Sequence, residues 1–144
     1  MSKIKWCPVE GCELPAPSVA TEGSAGFDLR VNQAVSMAPC ESQMVGTGYR
    51  VAIPQGFVGL IFPRSSLGRR GLCLANTVGV IDADYRGEIR LALEWFPEDG
   101  SNLEINPGQR IVQMVVVPCL TESEVGPLDD TDRGDGGFGH TGAD

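Results

Sequence analysis

Glycine and proline interrupt this chain so often that it cannot sustain long helices. The 144 residues include 19 glycines and 10 prolines, which mark turns and the ends of elements more often than their interiors. Between residues 23 and 118, short apolar runs alternate with turn residues, and no window of a dozen residues keeps an apolar period of 3.6. The sequence therefore predicts an all-β fold, a sandwich or a barrel-like sheet without internal repeats.

Eight short runs are predicted as strands, at residues 26–31, 44–53, 56–62, 72–75, 78–81, 88–96, 103–105 and 110–118. Pro54-Gln55-Gly56 is interpreted as a hairpin turn between the second and third of them. The run 110–118 is almost continuously apolar, which is typical of a buried strand. One or two helical turns are expected at residues 65–70.

Length and composition indicate one globular domain. Hydrophobic residues make up 42% of the chain and charged residues 21%, close to the globular average. The net charge of −8 at pH 7 argues against nucleic acid as a partner, because proteins that hold a phosphate backbone usually present a basic surface. A phosphorylated small molecule remains compatible with this charge, since a few arginines and a metal ion can hold it locally.

Two features bear on the cellular compartment. Residues 1–12 lack the apolar run of a signal peptide, and no stretch approaches the roughly 20 apolar residues of a membrane span. The five cysteines include no CxxC pair and His140 is the sole histidine, so reduced thiols are favoured over the alternative, a metal site at Cys7 and Cys12. The sequence therefore predicts a cytoplasmic protein with no membrane partner.

The character of the sequence changes after Pro127. Residues 128–144 have no packing pattern, and they begin with an acidic run that is interpreted as a solvated spacer. By itself this segment is a flexible tail, but Arg133 and Phe138, set among glycines, suggest an arm that orders over a ligand. We therefore divide the chain into a β-rich core, residues 1–127, and a C-terminal arm, residues 128–144.

Two segments of the core carry groups suited to phosphate chemistry. Pro63-Arg64-Ser65-Ser66-Leu67-Gly68 combines a cation, two hydroxyls and backbone N–H groups at a strand end, although an ordinary exposed loop has the same composition. In the second segment, an apolar strand leads to Asp82, with Tyr85 three residues later. A carboxylate at that position can orient and deprotonate a water molecule, and the alternative is an Asp-rich turn without chemistry.

The order and spacing of these segments resemble the trimeric deoxyuridine triphosphatases. Five family motifs occur in sequence order across residues 24–142, at 25–30, 63–68, 76–87, 107–113 and 133–142. One departure is Ser66, which stands where the family usually has a glycine whose N–H serves phosphate. The resemblance implies a dUTPase-like (β-clip) fold, a distorted barrel or jelly-roll-like sandwich, assembled as a homotrimer.

The resemblance also implies the reaction, which is hydrolysis of dUTP to dUMP and pyrophosphate with magnesium. This activity would lower dUTP and supply dUMP for thymidylate synthesis. Asp82 matches the catalytic aspartate, whose water attacks the α-phosphorus. Magnesium would be held by the triphosphate, with Asp28 reaching it through water. Phosphate contacts are implied for Arg64, Ser65, Ser66 and Gln113, and Arg110 is expected to be a structural partner within its motif.

The remaining implied contacts concern the nucleoside and the arm. Asn76 and the backbone of Val80 and Ile81 resemble a hairpin that reads uracil by copying its base-pairing edge. Tyr85 would pack under the deoxyribose and exclude a 2′-hydroxyl, and Arg90 would line the same pocket. From the arm, the resemblance implies substrate contacts for Arg133 on the terminal phosphates, Phe138 over the base, and Gly139.

The resemblance places each site between subunits, with the arm coming from a third. One sequence feature agrees, since Val115, Val116, Val117 and Leu120 offer more apolar surface than a small sheet face needs, although a simple core explains them equally. Two other functions are compatible with parts of the sequence. A dCTP deaminase on the same scaffold would need a glutamate acting on the base, for which Glu88 is the nearest acid, and a nucleotide-binding regulatory module would need no turnover.

Overall fold

The protein is an all-β domain with one short helix, as the sequence predicts. The computed structural model describes residues 3–138. Within that range it contains one helix, α1 (Ser65–Gly68), and ten strands: β1 (Lys5–Pro8), β2 (Phe27–Arg30), β3 (Val35–Met37), β4 (Ser42–Ala52), β5 (Phe57–Pro63), β6 (Leu72–Leu74), β7 (Gly79–Ile81), β8 (Glu88–Trp95), β9 (Leu103–Ile105) and β10 (Arg110–Pro118).

The strands form two four-stranded sheets and one small two-stranded sheet. The first sheet has the order β1-β4-β8-β6, the second has the order β2-β10-β5-β7, and β3 pairs with β9. Every pairing is antiparallel. Strands β6 and β7 are therefore edge strands of different sheets, a placement that matters for the site below.

The two large sheets share one apolar core. Strand β8 alternates strictly, with Ile89, Leu91, Leu93 and Trp95 all at most 2% exposed, as the sequence indicates. From the second sheet, Leu29, Ile61 and Met114 are buried in the same cluster. The indole N–H of Trp95 donates to the carbonyl oxygen of Ser101 at 2.7 Å, so the largest buried side chain also has its polar atom satisfied.

The interpretation of Pro54-Gln55-Gly56 as a hairpin turn is wrong. A turn is present, because the N–H of Phe57 donates to the carbonyl of Pro54 at 3.2 Å and Gly56 has a φ of 84°. However, β4 and β5 belong to different sheets. Each of these strands already has a partner on both sides, β1 and β8 for β4, and β10 and β7 for β5, so the turn carries the chain from one sheet to the other.

Two strands escape sequence analysis. Strand β1 is four residues long and pairs with β4 at the edge of the first sheet, and β3 has three residues. Strands this short carry little pattern of their own, and β9, which is as short as β3, is recognised with the help of the polar turn before it and Pro107-Gly108 after it. The ring of Trp6 in β1 packs against the ring of Phe27 at 5.7 Å between centroids, so residues that precede the family motifs contribute to the core's outer layer.

A β-bulge bends β4 where it pairs with the beginning of β8. Gly46 lies opposite Arg90, and Arg50 lies opposite Glu88, so β4 has two more residues than β8 between the same two rungs. Gly48, within the bulge, has a φ of 77°, a conformation that glycine adopts without strain. The buried Thr47 hydroxyl donates to the carbonyl of Ile89 at 2.8 Å, which stabilises the distorted segment.

Candidate functional site

A polar cleft of about 370 Å³ lies beside helix α1. Its lining includes five residues that the sequence predicts for phosphate or metal contacts, namely Asp28, Arg64, Ser65, Ser66 and Gln113. The backbone N–H of Arg64 donates to the carbonyl of Ile111 at 2.9 Å, which fixes the start of the helix on β10. Ser66 lies within the helix and has no positive φ, so the serine in place of glycine causes no backbone strain.

Asp28 contacts two arginines, of which Arg64 lines this cleft. Its Oδ1 lies 3.1 Å from Nε of Arg64, and its Oδ2 accepts a hydrogen bond of 2.9 Å from a terminal guanidinium nitrogen of Arg110. The Asp28 side chain is 12% exposed, whereas the two arginine side chains are 32% and 41% exposed. The carboxylate thus holds Arg64 at the edge of the cleft, and Arg110 contacts Asp28 as a structural partner would.

The donor chemistry of the cleft fits a metal that a phosphorylated ligand brings with it. No group of three or more potential metal ligands from His, Cys, Asp and Glu occurs within residues 3–138, so this part of the chain offers no metal cage of its own. Each Asp28 oxygen keeps further acceptor capacity beyond the arginine that it already contacts. Such a carboxylate can accept a hydrogen bond from a metal-bound water, which is how a hard ion that retains its hydration is often held.

The glycine of the first motif makes room for Gln113. A Cβ added to Gly26 would lie 2.7 Å from Oε1 and 3.1 Å from Cβ of Gln113. Gln113 itself lies opposite Asp28 in the β10–β2 pairing. Any larger residue at position 26 would therefore displace a side chain from the lining of the polar cleft.

A second cleft, of about 330 Å³, contains the residues predicted for the nucleoside and for catalysis. Asn76, Val80, Ile81, Asp82, Tyr85 and Arg90 all line it. Its apolar floor is not predicted by the sequence patterns and comes from β4, β5, β6 and β8, through Met44, Ile61, Leu74, Leu91 and Ala92. In the sequence, these apolar residues are indistinguishable from ordinary core residues. In the structure, Met44 differs from a core residue because it is 50% exposed.

The segment predicted as a base-reading hairpin is not a hairpin. Strand β6 pairs with β8 and strand β7 pairs with β5, so the two strands around Asn76 lie in different sheets. The connection turns tightly instead, with the N–H of Thr77 donating to Leu74 at 2.8 Å and the N–H of Val78 donating to Asn76 at 2.7 Å. Because β6 and β7 are both edge strands, their outer backbone groups are available to a ligand between them.

Asp82 and Tyr85 belong to one turn at the mouth of this cleft. The N–H of Tyr85 donates to the carbonyl of Asp82 at 3.2 Å. The guanidinium of Arg86 donates to the carbonyls of Ala83, at 2.8 Å, and Tyr85, at 2.9 Å, and the phenol of Tyr85 donates to the carbonyl of Glu88 at 2.9 Å. The turn is therefore cross-linked by its own side chains, and Asp82 remains exposed for chemistry.

The two clefts are far apart within one chain. Strand β7 pairs with β5 so that Ile81 lies opposite Gly59, which puts Asp82 level with Val58, whereas Arg64 follows the other end of β5. Six residues of strand separate these levels, about 20 Å at a rise of about 3.4 Å per residue. The clefts also share no lining residue, so one chain does not bring Asp82 to the arginine and serines.

The part of the arm that the structure describes lies outside the sheets. Arg133 and Phe138 are exposed, and turns stabilise the backbone, with Gly134 donating to Thr131 and Gly136 donating to Arg133, both at 3.1 Å. Phe138 has a φ of 49°. The implied contact of Gly139 falls outside the described residues, as does His140. Within residues 3–138, no helix is long and apolar enough to cross a membrane.

The fold and the two clefts define an all-β protein suited to a phosphorylated ligand with a flat or apolar group. Comparison with known proteins is more specific, because the family described as dUTPase matches residues 13–142. A deoxyuridine 5′-triphosphate nucleotidohydrolase of Roseobacter denitrificans is 43% identical over 99% of this chain and 96% of its own length. The chain belongs to the dUTPase family.

Two further relatives agree with this assignment. A protein of the same description from Corynebacterium glutamicum is 47% identical over 90% of this chain and 89% of its own. Among solved structures, the dUTPase of Staphylococcus bacteriophage 80alpha with dUPNHPP superposes with a TM-score of 0.86 at 24% identity, covering 99% of this chain and 100% of the phage chain. The structural likeness confirms the predicted fold class.

Proposed function

We propose that this protein is a magnesium-dependent dUTP diphosphatase, which hydrolyses dUTP to dUMP and pyrophosphate. The observation that carries the proposal is the presence of two clefts with different linings. One contains Asp82 and an apolar floor, and the other contains Arg64 and two serines. Relatives that are 43% and 47% identical are described as deoxyuridine triphosphate nucleotidohydrolases, which supports the same substrate here.

In this mechanism Asp82 orients a water molecule and accepts its proton as the water attacks the α-phosphorus. Arg64, Ser65, Ser66 and Gln113 bind the phosphate oxygens, and Asp28 keeps the Arg64 guanidinium in place. Alignment of the water with the phosphorus, together with fixed positive charge, provides most of the rate enhancement in such a reaction. Arg133 from the arm adds a cation at the terminal phosphates.

The second cleft would select the nucleoside. Uracil would lie between the edge strands β6 and β7, where Asn76 and the backbone groups of Val80 and Ile81 can match its hydrogen-bonding edge. Tyr85 would pack under the deoxyribose, with Arg90 on the wall of the cleft. Phe138 and Gly139 would cover the base when the arm closes, which excludes water other than the nucleophile.

The magnesium ion would be held by the triphosphate and, through water, by Asp28. When bound, it supplies neutralisation of the phosphate charge. The Asp28 carboxylate is suited to this position, because Asp28 lines the polar cleft and each of its oxygens can accept a second hydrogen bond.

The separation of the clefts supports active sites shared between subunits, as in the homotrimer that the family resemblance implies. With about 20 Å between the levels of Asp82 and Arg64, at about 3.4 Å per residue, one triphosphate needs the polar cleft of one subunit and the Asp82 cleft of another. Valines 115–117 are partly exposed on β10, and Leu120 is 85% exposed, which supports an interface there. A cytoplasmic location is supported by the five cysteines, which are all free thiols.

Product analysis by liquid chromatography tests the function. The protein is incubated with magnesium and, in parallel, with dUTP, dTTP, dCTP and UTP. Conversion of dUTP alone to dUMP and pyrophosphate is the expected result. Deaminated products from dCTP would replace the proposal by a deaminase, and no turnover of any nucleotide would favour a binding module.

A further inference from the structure

The Tyr85 side chain is held by two features that the proposed reaction does not use directly. Its hydroxyl donates to the main-chain carbonyl of Glu88 at 2.9 Å. Its ring lies over the Cα of Gly87, where an added Cβ would lie 2.6 Å from Cζ and 3.0 Å from Cε2 of the tyrosine. Gly87 has no positive φ, so the tyrosine, and not the backbone, is what requires glycine at this position.

Glu88 is in turn anchored in the bulge of β4. Its Oε1 accepts the backbone N–H of Gly48 at 2.8 Å and the side-chain amide of Asn32 at 3.2 Å. The Gly48 N–H lies in the stretch where the β4–β8 register shifts, so the carboxylate satisfies a donor that the irregular ladder does not. An added Cβ on Gly46 would collide with the same oxygen, which shows how closely the carboxylate fits the bulge.

We propose that Gly87 and Glu88 are positioning residues that set the preference for deoxyribose over ribose by fixing the Tyr85 ring. This inference rests on the proposed function, since it assumes that Tyr85 contacts the sugar. Steric exclusion of a 2′-hydroxyl is effective only if the excluding group cannot move aside. Tyr85 is 42% exposed, so packing alone holds it weakly, and the hydrogen bond and the Gly87 contact must fix its position.

Substitutions at Gly87 and Glu88 would displace the Tyr85 ring by different routes. An alanine at position 87 would push the ring away from the carbonyl that it bonds, without straining the backbone. Loss of the Glu88 carboxylate would instead free the Gly48 N–H and loosen the start of β8, and would move the acceptor carbonyl itself. A glutamine at position 88 keeps an oxygen for Gly48 and should preserve the arrangement.

The test compares Gly87→Ala, Glu88→Ala and Glu88→Gln with the unmodified trimeric protein. The matched control is Glu104→Gln, because Glu104 on β9 also accepts a hydrogen bond, from Ser36 at 2.7 Å, and lines neither cleft. The readout is the ratio of kcat/KM for dUTP to that for UTP, with the affinities for dUMP and UMP measured by calorimetry and the thermal midpoint recorded.

We expect Gly87→Ala and Glu88→Ala to reduce the dUTP preference by about threefold to tenfold, the range for loss of one hydrogen bond. The reduction should come mainly from improved use of UTP, and Glu88→Gln and Glu104→Gln should stay within about twofold of the unmodified protein. A fall in thermal midpoint with an unchanged ratio would show a purely structural role and overturn the inference.

The affinities for dUMP and UMP keep the two proposals separate. If the unmodified protein hydrolyses no dUTP, the proposed function fails, but a dUMP-over-UMP preference that weakens in Gly87→Ala would still support the positioning role. If the unmodified protein hydrolyses dUTP and rejects UTP while Gly87→Ala keeps the same selectivity in turnover and binding, the function stands and the inference is wrong.

Discussion

The backbone N–H of Tyr85 donates a hydrogen bond of 3.2 Å to the carbonyl oxygen of Asp82. The proposed base and the proposed sugar contact therefore share one short turn, in which the Arg86 guanidinium donates to the carbonyls of Ala83 and Tyr85. Because the two side chains project from the same turn, a sugar placed on Tyr85 in the proposed mechanism would also place the α-phosphorus relative to the water that Asp82 is proposed to orient. The proposed mechanism therefore couples substrate selection and water alignment through this turn.

Replacing Asp82 by asparagine tests the role of the base. Asp82→Asn should lower kcat by about 10²- to 10⁴-fold, the usual contribution of a positioned proton acceptor. The affinity for dUMP should stay within about threefold, because Arg64 and the serines are untouched. The measurements are steady-state kinetics and a calorimetric titration. Asp84→Asn is the control, because Asp84 lies in the same turn but does not line the second cleft, which contains Asp82. Near-normal kcat in Asp82→Asn would refute the role of Asp82 as the base.

Replacing Asp28 by asparagine tests whether its carboxylate holds Arg64 and Arg110 in place. An amide can accept a hydrogen bond from one guanidinium but presents its N–H₂ group to the other, so Arg64 or Arg110 loses its partner. We expect kcat/KM to fall about tenfold or more and the free energy of unfolding to fall by about 1–2 kcal/mol, less than for a fully buried pair because both arginines are partly exposed.

Glu41→Gln is the control for Asp28→Asn, and a magnesium titration gives the contrary outcome. Glu41→Gln removes a carboxylate that accepts the N–H of Ala38 at 2.7 Å, outside both clefts, and should leave kcat/KM unchanged. A magnesium titration separates the two roles of Asp28. If saturating magnesium fully restores kcat/KM in Asp28→Asn, the carboxylate serves the metal and not the arginines.

The strands that sequence patterns located well are those with a clear period. The predicted range 103–105 coincides with β9 and the range 110–118 coincides with β10, because apolar residues there alternate or run continuously between turn residues. The pairing of strands was not predictable in the same way. Pro54-Gln55-Gly56 has the composition of a hairpin turn, and what separates β4 from β5 is competition from strands distant in sequence.

The site shows the same division between local and distant information. Asp82 and Tyr85 lie three residues apart, and their shared turn could be inferred from local sequence. The pairing of Asp28 with Arg110 joins residues 82 positions apart, and Glu88 reaches Gly48 across 40 positions. Contacts of this kind depend on the register of β2 against β10 and of β4 against β8, which no single stretch of sequence encodes.

The stability of the fold should fall at alkaline pH because of Tyr49. This side chain is 8% exposed and donates to the carbonyl of Leu14 at 2.7 Å. Burial, and secondarily the charge of the nearby Cys12 thiolate, raises the pKa of Tyr49 above its ordinary value. The unfolded chain therefore releases this proton first, and the free energy of unfolding declines as pH rises from about 10 towards the folded value.

Tyr49→Phe is the variant that checks this dependence. At pH 8 it should be less stable by about 1 kcal/mol, since it loses the hydrogen bond to Leu14. Above pH about 10 the difference should narrow, because only the unmodified protein has the buried group to ionise. Urea unfolding at equal protein concentration and several pH values measures both. Parallel stability curves for the two proteins throughout the alkaline range would contradict the assignment to Tyr49.

Removal of residues 128–144 tests the arm. Leu128, Arg133 and Phe138 are exposed, and no strand lies beyond β10 in the described part of the chain, so the truncated protein should keep its thermal midpoint within a few degrees and its oligomeric state. Its kcat should fall by about 10²-fold or more, because an open site admits bulk water and lacks the Arg133 charge. Size-exclusion chromatography with light scattering and steady-state kinetics give the two readouts.

A variant with only Phe138→Ala, in which the arm and Arg133 remain, should lose less of kcat than the truncation. Dissociation of the truncated protein into monomers would show instead that the segment is part of the subunit interface, and would remove the reason for treating it as a cover of the active site.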